Sequence, residues 1–325
     1  MNPVSNPYAD INWNNIVQVK SVSHVHAIYQ SKLDNVAAQG YEHIPISHYK
    51  PSVPMYPLVD FFDTVPEGVI SSPNSEKART GDGYHFNALG SFAEGNGVGD
   101  GEVSEPWSRI FKRIFDQLQY SDGGGITLNH PKEFDVDLRC AQLDYDDRVL
   151  GIEVFNNGTE INRGIADFSD FWDKILSTGR RCYGFAVIDW PDTEFLHDGV
   201  WYGSCMLLVP EKDEHECLKA YRNGHFYAIK KDTGLRFTSI SYADDTMSCA
   251  LNRSATIKFY TKDGVKKTVS GSSASCSCDK SDTFMRIEVT EQSDSDSFLW
   301  SNPIMFKTKQ EVSVEKDSRI LMTLS

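Results

Sequence analysis

The residues in this chain best placed to do chemistry begin with two imidazoles, His24 and His26, in Ser23-His24-Val25-His26. In extended backbone, residues two apart face the same side, so both rings can reach one metal ion. A His-x-His alone is a weak signal. Further donors downstream add weight to it: an apolar-rich segment at 40–48 ending on His48, Glu76 in Asn74-Ser75-Glu76, His85 opening HFNALG, His130 closing ITLNH, and Asp189 ending FAVID. Taken singly, each has an ordinary reading as a structural histidine or a solvated loop carboxylate. Together, imidazoles mixed with carboxylates form a donor set suited to Zn, Mn or Fe.

The spacing predicts the elements that carry these residues. Residues 22–28 read as a short strand, 31–39 as a helix that Gly40 caps, and 40–48 as a second strand delivering His48. Strand, helix, strand is a βαβ unit, with the donors near strand C-termini, where α/β barrels place their chemistry. Short strands are expected at 58–62, 83–90, 126–131, 150–156 and 183–189, with a strand running into a loop at 69–76 that leaves Glu76 beyond its end. The glycine-rich residues 91–101 lack the lysine and spacing of a phosphate-cradling loop. Ser104-Glu105-Pro106 opens an amphipathic helix whose stripe of Trp107, Ile110, Phe111, Ile114, Phe115 and Leu118 reads as core. Another helix, capped by Ser169, turns Phe171, Trp172, Ile175 and Leu176 inward and stops at Gly179. A strand at 200–210 and a helix at 211–223 complete this part. Beyond 228, alternating segments at 255–260, 284–289 and 319–323, with a polar turn at 271–281, predict an antiparallel β-sandwich. It contains no histidine after His225, so no metal chemistry is expected there.

The 325 residues carry a net charge of −14, which opposes binding along a nucleic-acid backbone. Metal ions in a site would still let an acidic protein attract a phosphate ester locally. The seven cysteines are scattered and odd in number, which disfavours a disulfide framework. No apolar run reaches membrane-spanning length, and MNPVSNPYAD has neither the basic start nor the apolar core of an export signal, so the expectation is a cytoplasmic protein with no membrane partner. Oligomeric state is not legible.

The segments SHVH, ISH, NSE, YHFNALGS, LNHP, GIEVFN and AVID resemble, in order and spacing over residues 20–210, the PHP (polymerase and histidinol phosphatase) family. The resemblance implies a distorted (β/α)7 TIM-like barrel over residues 1–227 and a small all-β sandwich over 228–325. It also implies a metal-dependent phosphoesterase in which two ions bridge a hydroxide and hydrolyse a small phosphate ester. Carried over, His24, His26, Glu76 and Asp189 would hold one ion, and Glu76, His85 and His130 a second, Glu76 bridging. His48 matches a ligand of a third family site whose other histidines are missing: residues 27–34 have none, and Pro191 stands in the place of another. His48 is then free to act on substrate or water, so His48 and Asp189 are the expected catalytic residues; His197 or Asp192 could instead restore the third position. Lys50, Arg79 and Lys132 flank the motifs as candidate substrate-phosphate contacts, and Glu153 reads as either a partner to a ligand or a buried strand residue. Two alternatives stay open: a decayed, non-catalytic binding protein, and a metal hydrolase acting on a non-phosphate bond.

Overall fold

Strand-forming sequence dominates the second half of the chain and draws part of the first half into the same sheet. The computed structural model describes residues 1–49, 53–78, 84–95, 105–131 and 135–315. In chain order the elements are β1 (Val17–Ser21), α1 (Gln30–Ala38), β2 (Glu76–Lys77), β3 (Phe86–Leu89), α2 (Trp107–Asp116), β4 (Gly125–Leu128), α3 (Val136–Leu143), β5 (Val149–Asn156), α4 (Asn157–Arg163), α5 (Ser169–Leu176), β6 (Tyr183–Val187), β7 (Ser204–Val209), α6 (Glu214–Asn223), β8 (Phe226–Ile229), β9 (Phe237–Ala243), β10 (Thr246–Thr261), β11 (Gly264–Ser277), β12 (Phe284–Glu291), β13 (Asp294–Ser301) and β14 (Ile304–Met305).

The strands form two sheets. A nine-stranded antiparallel sheet runs β1-β7-β8-β13-β12-β10-β11, with β9 also on β10 and β14 on β12. A five-stranded sheet runs β2-β3-β4-β5-β6; its first two pairings are antiparallel and its last two parallel. The expected (β/α)7 TIM-like barrel is therefore not what forms: the described residues are mostly β, and the parallel, helix-alternating pattern survives only across β4, β5 and β6. The physical reason lies in the segments expected as N-terminal barrel strands. Residues 22–28, 40–48 and 69–75 form no ladder; the chain from Ser21 to Ile70 touches its neighbours through isolated parallel bridges, Ser21 to His43, His43 to Ile70 and Val25 to Asp189. Pro45 and Pro73 have no N–H to give a ladder. Buried side chains take the ladder's place: Ser47 Oγ accepts from Val25 N, and the Asn74 amide donates to the carbonyls of Ser23 and Pro45.

Other expectations shift for local reasons. Residues 58–62 hold a 3-10 turn, Leu58–Asp60, after Pro57, rather than a strand. Glu76 lies in β2, not in a loop. The expected polar turn at 271–281 is mostly strand, since β11 continues to Ser277; its small and polar residues suit an edge strand with one face in water. Residues 319–323 lie outside the described residues. The helices follow the sequence more closely. Ile110, Phe111, Ile114 and Phe115 of α2 are buried, as are Phe171, Trp172, Ile175 and Leu176 of α5. Each such side chain contributes roughly 2 kcal/mol by leaving water. Gly40, at φ +80°, lets the chain reverse after α1.

The sheet of β7, β8 and β13 runs through residue 227, and the core is shared likewise: Phe284, Trp300 and Met305 pack with Ile152, Phe155 and Trp172. All seven cysteines are free thiols. Among the described residues, no helix is long and apolar enough to cross a membrane.

Candidate metal centre

The centre is built where β1 runs out. Past Ser21 the chain bends at Ser23 and His24, His26 N donates to the Asp189 carbonyl at 2.8 Å, and Asp189 N donates to the His24 carbonyl at 2.9 Å. This one bridge sets His24, His26 and Asp189 side by side. Asp189 adopts φ 66°, in the left-handed region that is costly for a residue with a Cβ. The Ser23 carbonyl, between Val22 and His24, is gripped by the side-chain amides of Asn74 (2.9 Å) and Asn87 (3.0 Å), which pins the backbone of the His-x-His.

The donor atoms converge. His24 Nε2 and His26 Nε2 are 3.4 Å apart. Asp189 Oδ1 lies 3.3 Å from the first and 3.2 Å from the second. Glu76 reaches His24 Nε2 with Oε1 at 3.6 Å and His26 Nε2 with Oε2 at 3.2 Å. Donors arranged tetrahedrally around an ion at bond lengths of about 2.1 Å sit about 3.4 Å from one another, so these spacings fit a shared ion. A second group adjoins the first: His85 Nδ1 is 2.9 Å and His130 Nε2 3.9 Å from Glu76 Oε1. His24, His26 and Glu76, and separately Glu76, His85 and His130, each offer three ligand atoms within 4.8 Å of one another. Glu76 belongs to both groups.

The electrostatics favour positive charge between these side chains. Burial is the largest influence on both His24 and His26 and opposes their charged forms, yet the carboxylates win: Asp189, Glu153 and Glu76 hold His24 well above the usual imidazole range, and Asp189 with Glu76 raises His26. Burial likewise opposes the charged form of Glu76 and Asp189, and here the surrounding imidazoles, His24 foremost, prevail and hold both below the usual carboxylate range. Buried carboxylates that stay ionised beside imidazole nitrogens suit a divalent metal, which would displace the imidazole protons.

A layer of partners fixes the donors. His24 Nδ1 meets Glu153 Oε1 at 2.6 Å, so the ring presents Nε2 to the centre. The other Glu153 oxygen accepts from His130 N (2.6 Å) and the Asn156 amide (2.8 Å), and the same amide reaches Asp189 Oδ2 at 3.1 Å. Glu153 is thus bonded to His24, one of the candidate ligands. Asn129 donates to Glu76 Oε1 at 3.3 Å and to Asn87 Oδ1 at 3.0 Å, while Arg139 holds the Asn129 carbonyl. The Trp190 ring lies 4.2 Å from the His26 ring, and Tyr49 stacks on His48 at 4.6 Å.

Of the residues singled out from the sequence, His24, His26, Glu76, His85, His130 and Asp189 come together here. His48 sits behind His26, Nδ1 to Nδ1 at 2.8 Å, and is 7% exposed. His197 contacts Glu160 at 3.1 Å and stacks on Tyr202, and Asp192 pairs with Lys32 at 2.7 Å. Lys50, Arg79 and Lys132 lie outside the described residues. Sequence reasoning missed Asn74, Asn87, Asn129, Asn156, Tyr49 and Trp190. Several of these sit inside the segments NSE, LNHP and GIEVFN, where an amide next to a donor was the available signal.

No family model matches the chain, and no curated protein matches it. Among solved structures, it is similar to a two-domain protein from Bacteroides vulgatus described as containing a predicted PHP-like metal-dependent phosphoesterase. Identity is 12%, the match covers 94% of this chain and 99% of that one, and the TM-score is 0.43. A likeness at that level carries no argument about activity, so the functional reading rests on the side chains.

Proposed function

We propose that the chain is a metal-dependent hydrolase that cleaves a small phosphate ester with two divalent ions, Zn, Mn or Fe. The observation that supports this most is Glu76, one buried carboxylate shared between two adjacent donor groups. Paired ions supply Lewis-acid polarisation of a phosphoryl oxygen and activation of water. The chain's own residues supply the geometry. Glu153 holds the His24 ring through Nδ1, His48 holds the His26 ring through Nδ1, and the Asn156 and Asn129 amides hold the carboxylates of Asp189 and Glu76. Trp190 covers the His26 face and restricts water there. His48 therefore acts through His26, as a positioning residue. All six donors precede residue 190, so we assign the chemistry to residues 1–227 and a scaffolding role to 228–325.

The test is turnover of p-nitrophenyl phosphate and a wider phosphoester panel by purified protein with Mn, Zn or Fe. Activity abolished by chelation, and lost together with bound metal in Glu76→Gln, is the expected result. Metal-loaded protein that turns over nothing on the panel would refute the reading and leave a binding protein.

A further inference from the structure

Arginine side chains gather at the opposite end of the parallel strands from the histidines, in a groove of about 830 Å³. Its wall includes Arg180, Arg181, Arg222 and Lys309, around the residues that start β5 and β6. The donor cluster lies at the other ends of those strands. β5 alone has eight residues, so the two places are separated by roughly 25 Å at 3.3 Å per residue.

The charge bookkeeping in this groove leaves an excess of cation. Asp144 is taken by Arg180, which grips it with two bonds of 3.0 and 2.9 Å, and by Lys309 at 3.1 Å. Asp146 is taken by both arms of Arg148, at 2.7 Å each. Arg181 and Arg222 spend their bonds on neutral backbone: Arg181 on the carbonyls of Asp147 and Val149, Arg222 on those of Ser121, Gly123 and Gly124. A carbonyl orients a guanidinium without cancelling its charge. Among the described residues four cationic side chains, Arg180, Arg181, Arg222 and Lys309, thus line the groove against three carboxylates, Asp144, Asp146 and the exposed Asp147, of which Asp146 is already paired with Arg148, in a chain whose net charge is −14. Arg222 registers the crowding: burial and the neighbouring Arg148 and Arg181 pull it down to about 10.

We propose that this groove is a second anion site, separate from the donor cluster, that binds the dianionic phosphate of a soluble phosphate ester. Arg181 and Arg222, preoriented by backbone carbonyls, provide the planar, multi-donor contact that phosphate oxygens favour. The volume falls within the range of small-molecule sites.

Calorimetric titration of the full chain, kept in chelator, with pyrophosphate and with adenosine monophosphate tests this. About one equivalent should bind, Arg181→Gln and Lys309→Gln should each weaken it about fivefold or more, and His26→Ala should leave it unchanged. Asp147→Asn, which removes an acid from the groove, should tighten binding, a gain that a folding defect cannot imitate. Absence of binding, or binding lost in His26→Ala and kept in both groove variants, would overturn the proposal.

Discussion

Replacing His43 with glutamine should make the protein's stability less sensitive to acid. His43 is fully buried, with Nδ1 2.8 Å from Ser21 Oγ and Nε2 2.8 Å from Ser72 Oγ, and the Tyr221 hydroxyl donates onward to Ser21 at 2.7 Å. Burial pushes this imidazole down from 6.5 to about 3. A folded-state value below the unfolded one means that protons bind the unfolded chain preferentially. The contribution is whole above the unfolded value and is lost as pH falls from there toward the folded one. Each pH unit in that window is worth about 1.4 kcal/mol, so going from about pH 7.5 to about pH 5 should remove about 2 kcal/mol from the wild type through this one group. His43→Gln loses hydrogen bonds and should be the less stable protein at neutral pH, but it has nothing to titrate there. Urea denaturation of both proteins in chelator at the two pH values reads the difference, and contributions from His24 and His26, common to both, cancel. The stability gap between them should shrink by about 2 kcal/mol in acid. A gap that stays constant would refute the reasoning, because it would mean that folded His43 protonates as readily as unfolded.

Glu153→Gln should weaken metal binding about 10- to 100-fold while far-ultraviolet circular dichroism stays unchanged, since it disturbs the ring orientation of His24 without removing a ligand; equal affinity for metal in a competition titration would remove Glu153 from the centre. Asp173→Ala should cost about 3 kcal/mol in denaturant unfolding, because it strands the guanidinium of Arg286, 1% exposed and bound to Asp173 at 2.7 and 2.8 Å. Elemental analysis of metal-saturated protein should give about two ions per chain; three, falling to two in His48→Ala, would show that His48 is a ligand rather than a support.

The donors were legible because their chemistry is carried by residue type: imidazoles and carboxylates spaced along the chain announce themselves whatever backbone carries them. The backbone was less legible. Residues 22–28 have the apolar alternation of a strand, but in place of a ladder they make one backbone bridge, to Asp189, and are held otherwise by isolated backbone bonds, the amides of Asn74 and Asn87 and the hydroxyl of Ser47, which are contacts distant in sequence. Periodicity reads the shape of a segment and not its partners, so an extended run looked like a member of a regular parallel array. The same limit hid β11, whose serines resemble a turn until Cys276 is seen facing the core opposite Met247. Asn129 and Asn156 went unread because an asparagine carries no signature of its own; only the carboxylates around it give it a task.

The way β8 is shared bears on how such a chain can be inherited and cut. A gene fragment ending near residue 227 would stop inside β8, and one ending just beyond it would leave Tyr227, Ala228 and Ile229 without Ser301, Trp300 and Leu299. Either product would carry a raw strand margin, the kind of surface that recruits other chains into aggregates. The two halves therefore cannot be exchanged as cassettes at that point. The tip of the β10–β11 hairpin, at residues 262–263, interrupts no pairing and is the better place to splice in a foreign segment.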